Sequence, residues 1–289
     1  MRFIVALILI SAVLCNELLV TREYVNYLKK AVTWEVEEYE NNVFRGWTED
    51  DAKNFLGLNS LDFEGNYPEV EHVATPSTIN WAGANCDHGP QNQGQCGSCW
   101  AFAATGMLSD RCCLHSSDKG WLSPQELVSC DRGSSGCNGG SLTSPISYFQ
   151  SHQGLVPDKC FPYQAKNVPC PAKCADGSDF KAAHVCKCTE PKSCSGTSGI
   201  TSCLASGPVV IGFYVCKSFM NYKSGIYKCD CTSYLGGHAV LVMGHSDTPE
   251  CHFHVKNSWG PSWGENGYFD IACGTCRLMG GSVCGKVIA

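Results

Sequence analysis

Charged residues are scarce in this 289-residue chain, where Asp, Glu, Lys and Arg together make up 17% of the sequence and hydrophobic residues make up 44%. So low a charge content excludes a disordered protein and predicts one or two domains with a sizeable buried core. Basic residues are outnumbered by acidic ones, 21 against 27, which gives a formal net charge of −6. This deficit argues against a nucleic-acid footprint, and we expect no nucleic-acid partner.

Long apolar runs are missing after the N-terminus, which excludes a later membrane helix. Residues 3–14 are apolar apart from Ser11 and follow Met1-Arg2. That run is too short to span a bilayer comfortably and is typical of a signal peptide, which we assign to residues 1–15. The chain also lacks an Asn-x-Ser/Thr acceptor, so glycan-dependent sorting has no support. We expect a secretory-pathway protein without a membrane anchor after signal removal, located in lysosome-like or endosomal vesicles, outside the cell, or in both.

Cysteine is missing between Cys15 and Cys86, although the chain contains 22 cysteines. So high a total is typical of a protein that folds in an oxidising compartment. The cysteine-free span is richer in acidic and helix-forming residues than the sequence that follows. We interpret residues 16–74 as a separate module, a pro-region or small helical cap that ends just before Pro76. An ordinary helical N-terminal subdomain is the alternative interpretation.

Two kinds of pattern divide residues 75–289. Residues 98–111 are nearly all apolar or small, which predicts a helix buried on most sides, and Ser123-Pro124 is typical of a second helix start. After Gly207, β-branched and aromatic runs punctuated by glycine predict an antiparallel sheet or barrel. The runs cover residues 208–215, 224–227, 238–243, 253–256 and 268–271. This order predicts an α+β fold with a cleft between a helical half, about 86–195, and a β half, about 196–289.

The stretch from Cys160 to Gly199 has a third composition, rich in cysteine, proline, lysine, serine and glycine. It is predicted to be an extended surface insertion that disulfides hold in place. Its only histidine is His184, and the pattern indicates no role for the insertion.

The segment from Gln93 to Trp100 is the most informative in the chain, because it places Cys99 at the start of the predicted buried helix. A helix N-terminus favours a thiolate through its unpaired N–H groups and its dipole. A thiolate nucleophile needs a histidine within hydrogen-bond reach, a partner that orients that histidine, and fixed donors for the oxyanion. The side chain of Gln93 and the backbone N–H of Cys99 could supply those donors.

His238 has the most suggestive setting of the nine histidines, after two glycines and before an apolar run. Asn257 could bond the far imidazole nitrogen while Trp259 shields that bond from water. In isolation, each residue is more often structural, His238 as a satisfied polar residue at a strand start and Asn257 as a turn residue.

The cysteines also allow other interpretations. Cys96 and Cys99 form a Cys-x-x-Cys pair, as in redox sites, and a second such pair, Cys273 and Cys276, could join it in binding zinc. No βαβ pattern surrounds the first pair, and an oxidising compartment disfavours zinc, so we expect no metal and no cofactor. If Cys99 were one more bridged cysteine, the chain would be a non-catalytic, cysteine-rich secreted binding module.

In combination, these residues resemble the papain-like cysteine proteases. The matching segments are Gln93, Cys99-Trp100, Gly237-His238-Ala239, Asn257-Ser258-Trp259-Gly260 and Trp263-Gly264-Glu265-Asn266-Gly267-Tyr268. The resemblance covers about Pro76 to the C-terminus. It implies a papain-like two-subdomain fold, with a helical left half, an antiparallel, β-barrel-like right half, and the active site in the cleft between them.

The resemblance implies a role for each matching residue of a cysteine endopeptidase. Cys99 corresponds to the nucleophile, His238 to the acid/base, Asn257 to the imidazole orienter and Gln93 to the oxyanion donor. The implied substrate-binding residues are Gly97, Gly139, Gly140, Leu142, Gly212, Gly237, Ala239, Trp259, Trp263 and Gly281. The implied disulfides are Cys96–Cys137 and Cys86–Cys113.

Several segments resemble the cathepsin B branch of that family, among them Ser109-Asp110-Arg111 and Cys160-Phe161-Pro162-Tyr163. Members of this branch are made as zymogens, in which a pro-segment lies along the cleft as an inhibitor until it is removed. We expect the same of residues 16–74. The expected partners are protein and peptide substrates, the chain's own propeptide and cystatin-type inhibitors, all binding to a monomer.

Two departures from that branch change the expected specificity. Dipeptide removal by cathepsin B depends on two adjacent histidines in an occluding loop, and the insertion of this chain has no His-His pair. The acidic residue that cathepsin B places at the floor of its P2 pocket aligns with Gly281. We therefore expect an endopeptidase with an apolar preference at P2 and weak or absent peptidyl-dipeptidase activity. The alternative is a cathepsin B-type peptidyl-dipeptidase.

Overall fold

The computed structural model describes residues 17–59, 67–278 and 280–288, so the predicted signal peptide lies outside the described residues. The helices are α1 Arg22–Ala31, α2 Glu49–Phe55, α3 Cys99–His115, α4 Pro124–Cys130, α5 Ser144–His152 and α6 Gly196–Leu204. The strands are β1 Glu35–Val36, β2 Thr78–Asn80, β3 Lys187–Cys194, β4 Val209–Val215, β5 Tyr222–Ser224, β6 Ile226–Tyr227, β7 Gly236–Ser246, β8 His252–Lys256, β9 Tyr268–Ala272 and β10 Gly281–Ile288. None of these helices combines the length and the apolar character that a bilayer crossing requires.

The helical half forms around α3, which is buried along most of its length, as its apolar sequence predicts. Trp100 and Met107 of α3 lie in a hydrophobic core that side chains of α4 and α5 complete. The predicted start of α4 is confirmed, because Pro124 is its first residue and the Ser123 hydroxyl accepts a hydrogen bond from the Glu126 amide. Since its neighbours enclose α3, they also fix the position of its first residue.

One guanidinium is fully buried in this half. Arg111 of α3 has no exposed surface, and burial lowers its pKa to about 9. Its guanidinium donates only to uncharged oxygens, which are the carbonyls of Cys203, Gly207, Pro208 and Cys284 and the hydroxyl of Ser206. This side chain therefore joins α3 to the turn before β4 and to β10.

The β half is built on a six-stranded sheet with the order β2-β7-β8-β9-β6, in which β4 also pairs with β7. All five predicted apolar runs form strands, which confirms the β assignment of this half. Most neighbours are antiparallel, as predicted, and β6 and β9 run parallel. The sheet of the described residues is also not a closed barrel, because β4 and β2 pair with successive stretches of the same strand, β7.

The last strand and the helix α6 depart from the simple division into a helical and a β half. β10 leaves the β half and pairs antiparallel with β3, from Gly281 opposite Cys194 to Ile288 opposite Lys187. In addition, the β half begins with a helix, α6, which packs into the core of that half through Ile200.

Residues 160–199 were predicted to be a surface insertion, which is wrong for the last part of this stretch and right for its first part. β3 buries Cys188 and Cys194, which are bridged to Cys284 and Cys203, so this strand belongs to the core rather than to the surface. The earlier residues of the insertion are extended, largely exposed and pinned by disulfides. The bridges that hold this earlier part are Cys112–Cys186, Cys130–Cys170 and Cys160–Cys174.

His184 anchors the insertion to α4. Its Nε2 lies 2.6 Å from Glu126 Oε1, and its Nδ1 lies 3.0 Å from the carbonyl oxygen of Lys181. Glu126 is fully buried and also accepts hydrogen bonds from the Tyr148 hydroxyl and the Val156 amide. Because both ring nitrogens face acceptors, the geometry favours an imidazolium. Burial by itself lowers the pKa of His184, but the hydrogen bond and charge of Glu126 outweigh it, and the pKa is raised.

Replacing His184 by glutamine is expected to lower the free energy of unfolding by about 1–3 kcal/mol at about pH 5.5, and by less at about pH 8.5. The reason is linkage: a raised folded-state pKa stabilises the protein fully below the unfolded value, and this contribution is lost as pH rises through the folded-state pKa. Urea unfolding at both pH values measures the difference. His152→Gln is the matched control, because His152 is exposed and stacks on the neighbouring Tyr148 ring. Equal losses for His184→Gln at both pH values would contradict the interpretation.

Candidate active site

Cys99 is the first residue of α3 and is fully buried. It is the only cysteine among the described residues outside a disulfide, and its Sγ accepts a hydrogen bond from the Ala239 amide at 3.4 Å. Its position at a helix N-terminus favours the thiolate. The structure therefore brings the predicted nucleophile of the helical half against β7 of the β half.

The alternative cysteine chemistries do not fit the pairing in the structure. Cys96 is bridged to Cys137, whereas the cysteines of the other Cys-x-x-Cys pair are bridged to Cys251 and Cys229. Neither pair is an internal redox disulfide or a free pair of thiolates, so the redox and zinc interpretations are wrong. The second implied bridge, Cys86–Cys113, is also present.

Two other clusters group possible metal ligands. They are His245 with Cys251 and Cys273, and Asp230 with Cys216 and Cys231. In each cluster the two sulfurs belong to one disulfide and cannot act as thiolate ligands. Each cluster therefore offers one side-chain ligand rather than three.

His238 lies on β7, fully buried, with its Nε2 2.8 Å from Asn257 Oδ1. An amide oxygen only accepts, so Nε2 carries the proton and Nδ1 is the basic nitrogen of the neutral ring. Nδ1 has no hydrogen-bond partner among the described residues. The Trp259 ring packs against the imidazole with the two ring centroids 4.7 Å apart. The two residues are thus arranged as an oriented base.

The Gln93 amide is fully buried and its orientation is fixed from both ends. Its Oε1 accepts a hydrogen bond of 2.7 Å from the Ser258 hydroxyl, and its Nε2 donates to the Cys96 carbonyl at 2.8 Å. The same Nε2 donates to the Phe55 carbonyl of the N-terminal segment at 3.0 Å. The predicted oxyanion donor therefore already binds a carbonyl oxygen in this structure.

Residues 55–59 run through the cleft and pair with both of its walls. The Leu58 amide donates to the Gly237 carbonyl at 3.1 Å, and the Asn59 amide donates to the Gly140 carbonyl at 3.0 Å. The Gly140 amide in turn donates to the Gly57 carbonyl at 2.9 Å. Two of the predicted backbone-binding positions, one on each wall, hold this segment of the chain itself.

Two backbone groups of this segment face atoms of the predicted site. The Gly57 amide is directed at the Cys99 sulfur, whereas the Phe55 carbonyl occupies the Gln93 donor. Attack requires a carbonyl carbon at the sulfur and its own oxygen at the oxyanion donors. The close approach also explains the glycine at 57, since a Cβ there would collide with the Gly97 carbonyl.

With residues 55–59 in the cleft, burial determines the protonation of the Cys99 thiol and the His238 imidazole. Burial raises the pKa of Cys99 to about 11, against a smaller lowering by backbone N–H groups that include those of Ala239 and Gly57. Burial lowers the pKa of His238 to about 4, against a smaller raising by the Asn257 hydrogen bond. With the segment in place, desolvation outweighs the helix dipole, and thiol and imidazole are both neutral.

The remaining predicted substrate residues fall into two groups. Leu142 and Ala239 share a hydrophobic cluster with Leu58, and Gly212 lies directly opposite Ala239 across β4 and β7. Leu58, Leu142 and Ala239 thus belong to one apolar cluster, and Gly212 lies beside it on the neighbouring strand. Trp259 contacts the N-terminal segment, because its ring centroid lies 5.4 Å from that of Phe55.

Two predicted substrate residues are enclosed by packing. The Trp263 ring is buried between Trp259 and Phe219, with centroid distances of 4.9 and 5.1 Å. Gly281 lies against the Val210 carbonyl, where a Cβ would collide with that oxygen. Position 281 therefore has no room for a side chain, acidic or other.

The sequence did not reveal a buried ionic cluster behind the site. Lys256, the residue before Asn257, places its Nζ 2.7 Å from Asp87 Oδ1 and 2.8 Å from Asp110 Oδ2. Asp110 lies on α3, so this cluster connects the helix of Cys99 to the strand end that carries Asn257. The lysine that ends the β8 run, directly before Asn257, is the signal that could have indicated it.

Comparisons with known proteins agree with this geometry. The sequence matches the family described as Papain family cysteine protease over residues 75–285. The chain belongs to this family. It is therefore a cysteine-type peptidase, and the predicted resemblance is confirmed.

Relatives of this papain-family protease include cathepsin B-like proteins. It is 39% identical over 222 residues to Cathepsin B-like CP3 of Giardia intestinalis, an overlap of 73% of this chain and 68% of that protein. Cathepsin B-like CP2 of the same organism is 36% identical over 225 residues, covering 74% of this chain and 69% of that protein. The solved structure of proCathepsin B S9 from Trypanosoma congolense superposes with a TM-score of 0.78 at 23% identity, covering 93% of this chain and all of that one. That likeness confirms the papain-like α+β fold.

Proposed function

We propose that this papain-family protease is an endopeptidase made as a zymogen, with Cys99 as nucleophile and His238 as acid and base. The observation that carries the proposal is the position of Cys99, the only free thiol among the described residues. It lies at the N-terminus of a buried helix and contacts the strand that carries His238, whose imidazole is hydrogen-bonded to Asn257. In the opened cleft, the thiolate attacks the scissile carbonyl carbon while the oxyanion forms between Gln93 Nε2 and the Cys99 amide. His238 then protonates the leaving amine, and water hydrolyses the acyl-enzyme.

We assign residues 16–74 as the inhibitory propeptide and residues 75–289 as the protease domain. The path of residues 55–59 supports inhibition, because it occupies the oxyanion donor and both walls of the cleft. Ion pairs also attach the N-terminal segment to the protease domain, since Lys217 Nζ lies 3.1 Å from carboxylate oxygens of both Glu17 and Glu49.

The proposed substrate specificity follows from the side chain that occupies the cleft and from the position of His184. Leu58 shares a hydrophobic cluster with Leu142 and Ala239, which favours an apolar side chain at P2 and leaves a buried cation there without a partner. The only histidine of the 160–199 insertion is bonded to Glu126, so it is not available to hold a substrate's C-terminal carboxylate. We therefore assign endopeptidase rather than peptidyl-dipeptidase activity.

The assignment includes the route and the partners. The N-terminal run of residues 3–14 and the ten disulfides support passage through the secretory pathway to lysosome-like vesicles or to the outside of the cell. The protease acts as a monomer, and its partners are protein and peptide substrates, its own propeptide and cystatin-type inhibitors.

Labelling with an epoxysuccinyl thiol inhibitor tests the function directly. The precursor is expected to label slowly, because burial keeps the Cys99 thiol protonated, and the acid-matured enzyme is expected to label rapidly. Peptide mapping should place the label on Cys99, and Cys99→Ala should abolish both labelling and hydrolysis. Rapid labelling of the unprocessed precursor, or labelling that survives Cys99→Ala, would overturn the proposal.

Peptide substrates test the specificity separately. The matured enzyme is expected to cleave a peptide with leucine at P2 about 10-fold or more faster, in kcat/KM, than one with arginine there, because the pocket lacks an acidic partner. It is expected to release little dipeptide from the C-terminus of the same peptide. A preference for arginine, or efficient dipeptide release, would refute the assignment while leaving the catalytic residues untouched.

A further inference from the structure

A tyrosine hydroxyl of the insertion lies against the segment that carries the nucleophile. The Tyr163 hydroxyl oxygen is 2.7 Å from the Gln93 carbonyl oxygen and 2.6 Å from the Ser98 hydroxyl oxygen. A carbonyl oxygen only accepts, so Tyr163 donates a hydrogen bond to Gln93 and accepts one from Ser98. This one hydroxyl thus joins the backbone of Gln93 to the residue that precedes Cys99.

The hydroxyl of Ser98 is directed at Tyr163 and not at the helix that follows. Ser98 is the N-cap residue of α3, a position at which serine ordinarily accepts a hydrogen bond from the first turn. Its hydroxyl makes no such bond to the described helix, and it lies farther, at 3.4 Å, from the Cys96 carbonyl oxygen. The first-turn amides of α3 are therefore left for negative charge that develops at the sulfur or at the oxyanion.

The position of Tyr163 is fixed by its surroundings. Its ring packs edge-on against Phe102 of α3, with the ring centroids 4.6 Å apart. The buried Gln125 side chain of α4 accepts a hydrogen bond of 2.8 Å from the Gln164 amide and donates one of 3.0 Å to the Lys166 carbonyl. Disulfide-bonded cysteines flank this stretch on both sides. The hydroxyl is thus presented from a braced segment of the helical half.

The two oxyanion donors belong to different parts of the cleft. The Gln93 side chain is anchored to the β half by the Ser258 hydroxyl, whereas the Cys99 amide is the first N–H of α3. An oxyanion is fully stabilised only when both donors lie about 2.7–3.1 Å from its position. Tyr163 is bonded beside both of them. Burial raises the pKa of Tyr163 to about 12, so its hydroxyl keeps the donated proton at neutral and acidic pH.

We propose that Tyr163 is a positioning residue, whose hydroxyl holds Gln93 Nε2 and the Cys99 amide at the separation that one oxyanion requires. This inference rests on the proposed function of the cleft and gives the insertion a role in catalysis. Tyr163 acts through Gln93 and Ser98 rather than on the substrate. Its loss should therefore slow the steps that form an oxyanion, while the thiolate itself stays reactive.

Tyr163→Phe removes the hydroxyl and keeps the ring on Phe102. In the matured enzyme we expect kcat and kcat/KM for a P2-leucine peptide to fall together by about fivefold to 30-fold, less than the roughly 10²- to 10³-fold that loss of a whole donor causes. The rate of Cys99 alkylation by iodoacetamide should change by less than about twofold, because displacement of iodide by the thiolate forms no oxyanion. Tyr148→Phe is the matched control, since it removes a hydroxyl that bonds the buried Glu126 in the same half and should leave both rates within about twofold.

A double-mutant cycle with Gln93→Ala separates positioning from packing. The Cys99 amide and the Cys99 sulfur belong to one residue, so their relative position does not depend on Tyr163. Once the Gln93 donor is gone, Tyr163→Phe should therefore cost less than about twofold, whereas two independent effects would multiply. Ser98→Ala cuts the same link at its other end and should show the same split between hydrolysis and alkylation.

The results that would overturn the role of Tyr163 differ from those that concern the cleft as a whole. Unchanged hydrolysis in Tyr163→Phe, an equal loss of hydrolysis and alkylation, or a full loss on top of Gln93→Ala would each overturn it, as would an equally large loss in Tyr148→Phe. Wild-type activity in Gln93→Ala would contradict the oxyanion site of the proposed function. A matured wild-type enzyme that does not cleave the peptide would contradict that function itself.

Discussion

Replacing His238 by alanine is expected to lower kcat/KM of the matured enzyme by about 10⁴- to 10⁶-fold. Without the imidazole, the thiol loses the base that ionises it, and the leaving amine loses its proton donor. Steady-state hydrolysis of a P2-leucine peptide measures the loss. Asn257→Ala should cause a smaller loss, because it frees the ring from its 2.8 Å hydrogen bond without removing it.

The chain offers a matched control on the same strand. His245 is a buried histidine of β7 like His238, but it lies at the other end of the strand, near the Cys251–Cys273 bridge. His245→Gln should therefore retain activity close to that of the wild type. Residual activity above about a tenth in His238→Ala, or an equal loss in His245→Gln, would contradict the role given to His238.

Replacing Arg111 by leucine is expected to lower the free energy of unfolding by about 3–5 kcal/mol. A buried ion is often replaceable by a hydrophobic side chain, but here its partners are main-chain carbonyls that stay in place and would be left without donors. Denaturant unfolding of the precursor measures the change. Lysine should not restore stability, because it offers three donors from one point instead of a planar fork.

Arg132→Leu is the control for this change, since Arg132 is an exposed arginine and its loss should alter stability by no more than about 0.5 kcal/mol. An Arg111→Leu protein within about 1 kcal/mol of the wild type would show that the carbonyls find other donors. Circular dichroism of the folded variant excludes a general rearrangement as the cause of a larger loss.

The sequence predicted those parts of the molecule in which the local structure or the chemistry requires a particular residue type. The strands β4 and β7 coincide with apolar, β-branched runs, because a strand buried on both faces needs such side chains. Cys99, His238 and Asn257 stand out because a thiolate nucleophile needs a base and an orienter of particular types. The structure brings these three residues to one cleft, although they are far apart in the sequence.

Other features depend on partners that a linear pattern does not show. β3 has the sequence Lys-Cys-Thr-Glu-Pro-Lys-Ser-Cys, without apolar alternation, and it becomes a core strand through its bridges and its pairing with β10. The imidazolium–carboxylate contact of His184 with Glu126 joins residues 58 positions apart. The path of Leu58 through the cleft likewise depends on carbonyl and amide groups that every residue possesses, so no residue type marks it in advance.

The presence of one free thiol among many disulfides determines how the enzyme loses activity by oxidation. Within the described residues every cysteine except Cys99 is already oxidised, so a single atom, its Sγ, is the target of any oxidant that reacts with thiolates. The covered precursor keeps that atom protonated and buried, whereas maturation exposes it. Removal of the propeptide therefore makes the enzyme active and sensitive to oxidation at the same time. A chemical count of free thiols on the folded, matured protein then equals the number of active molecules.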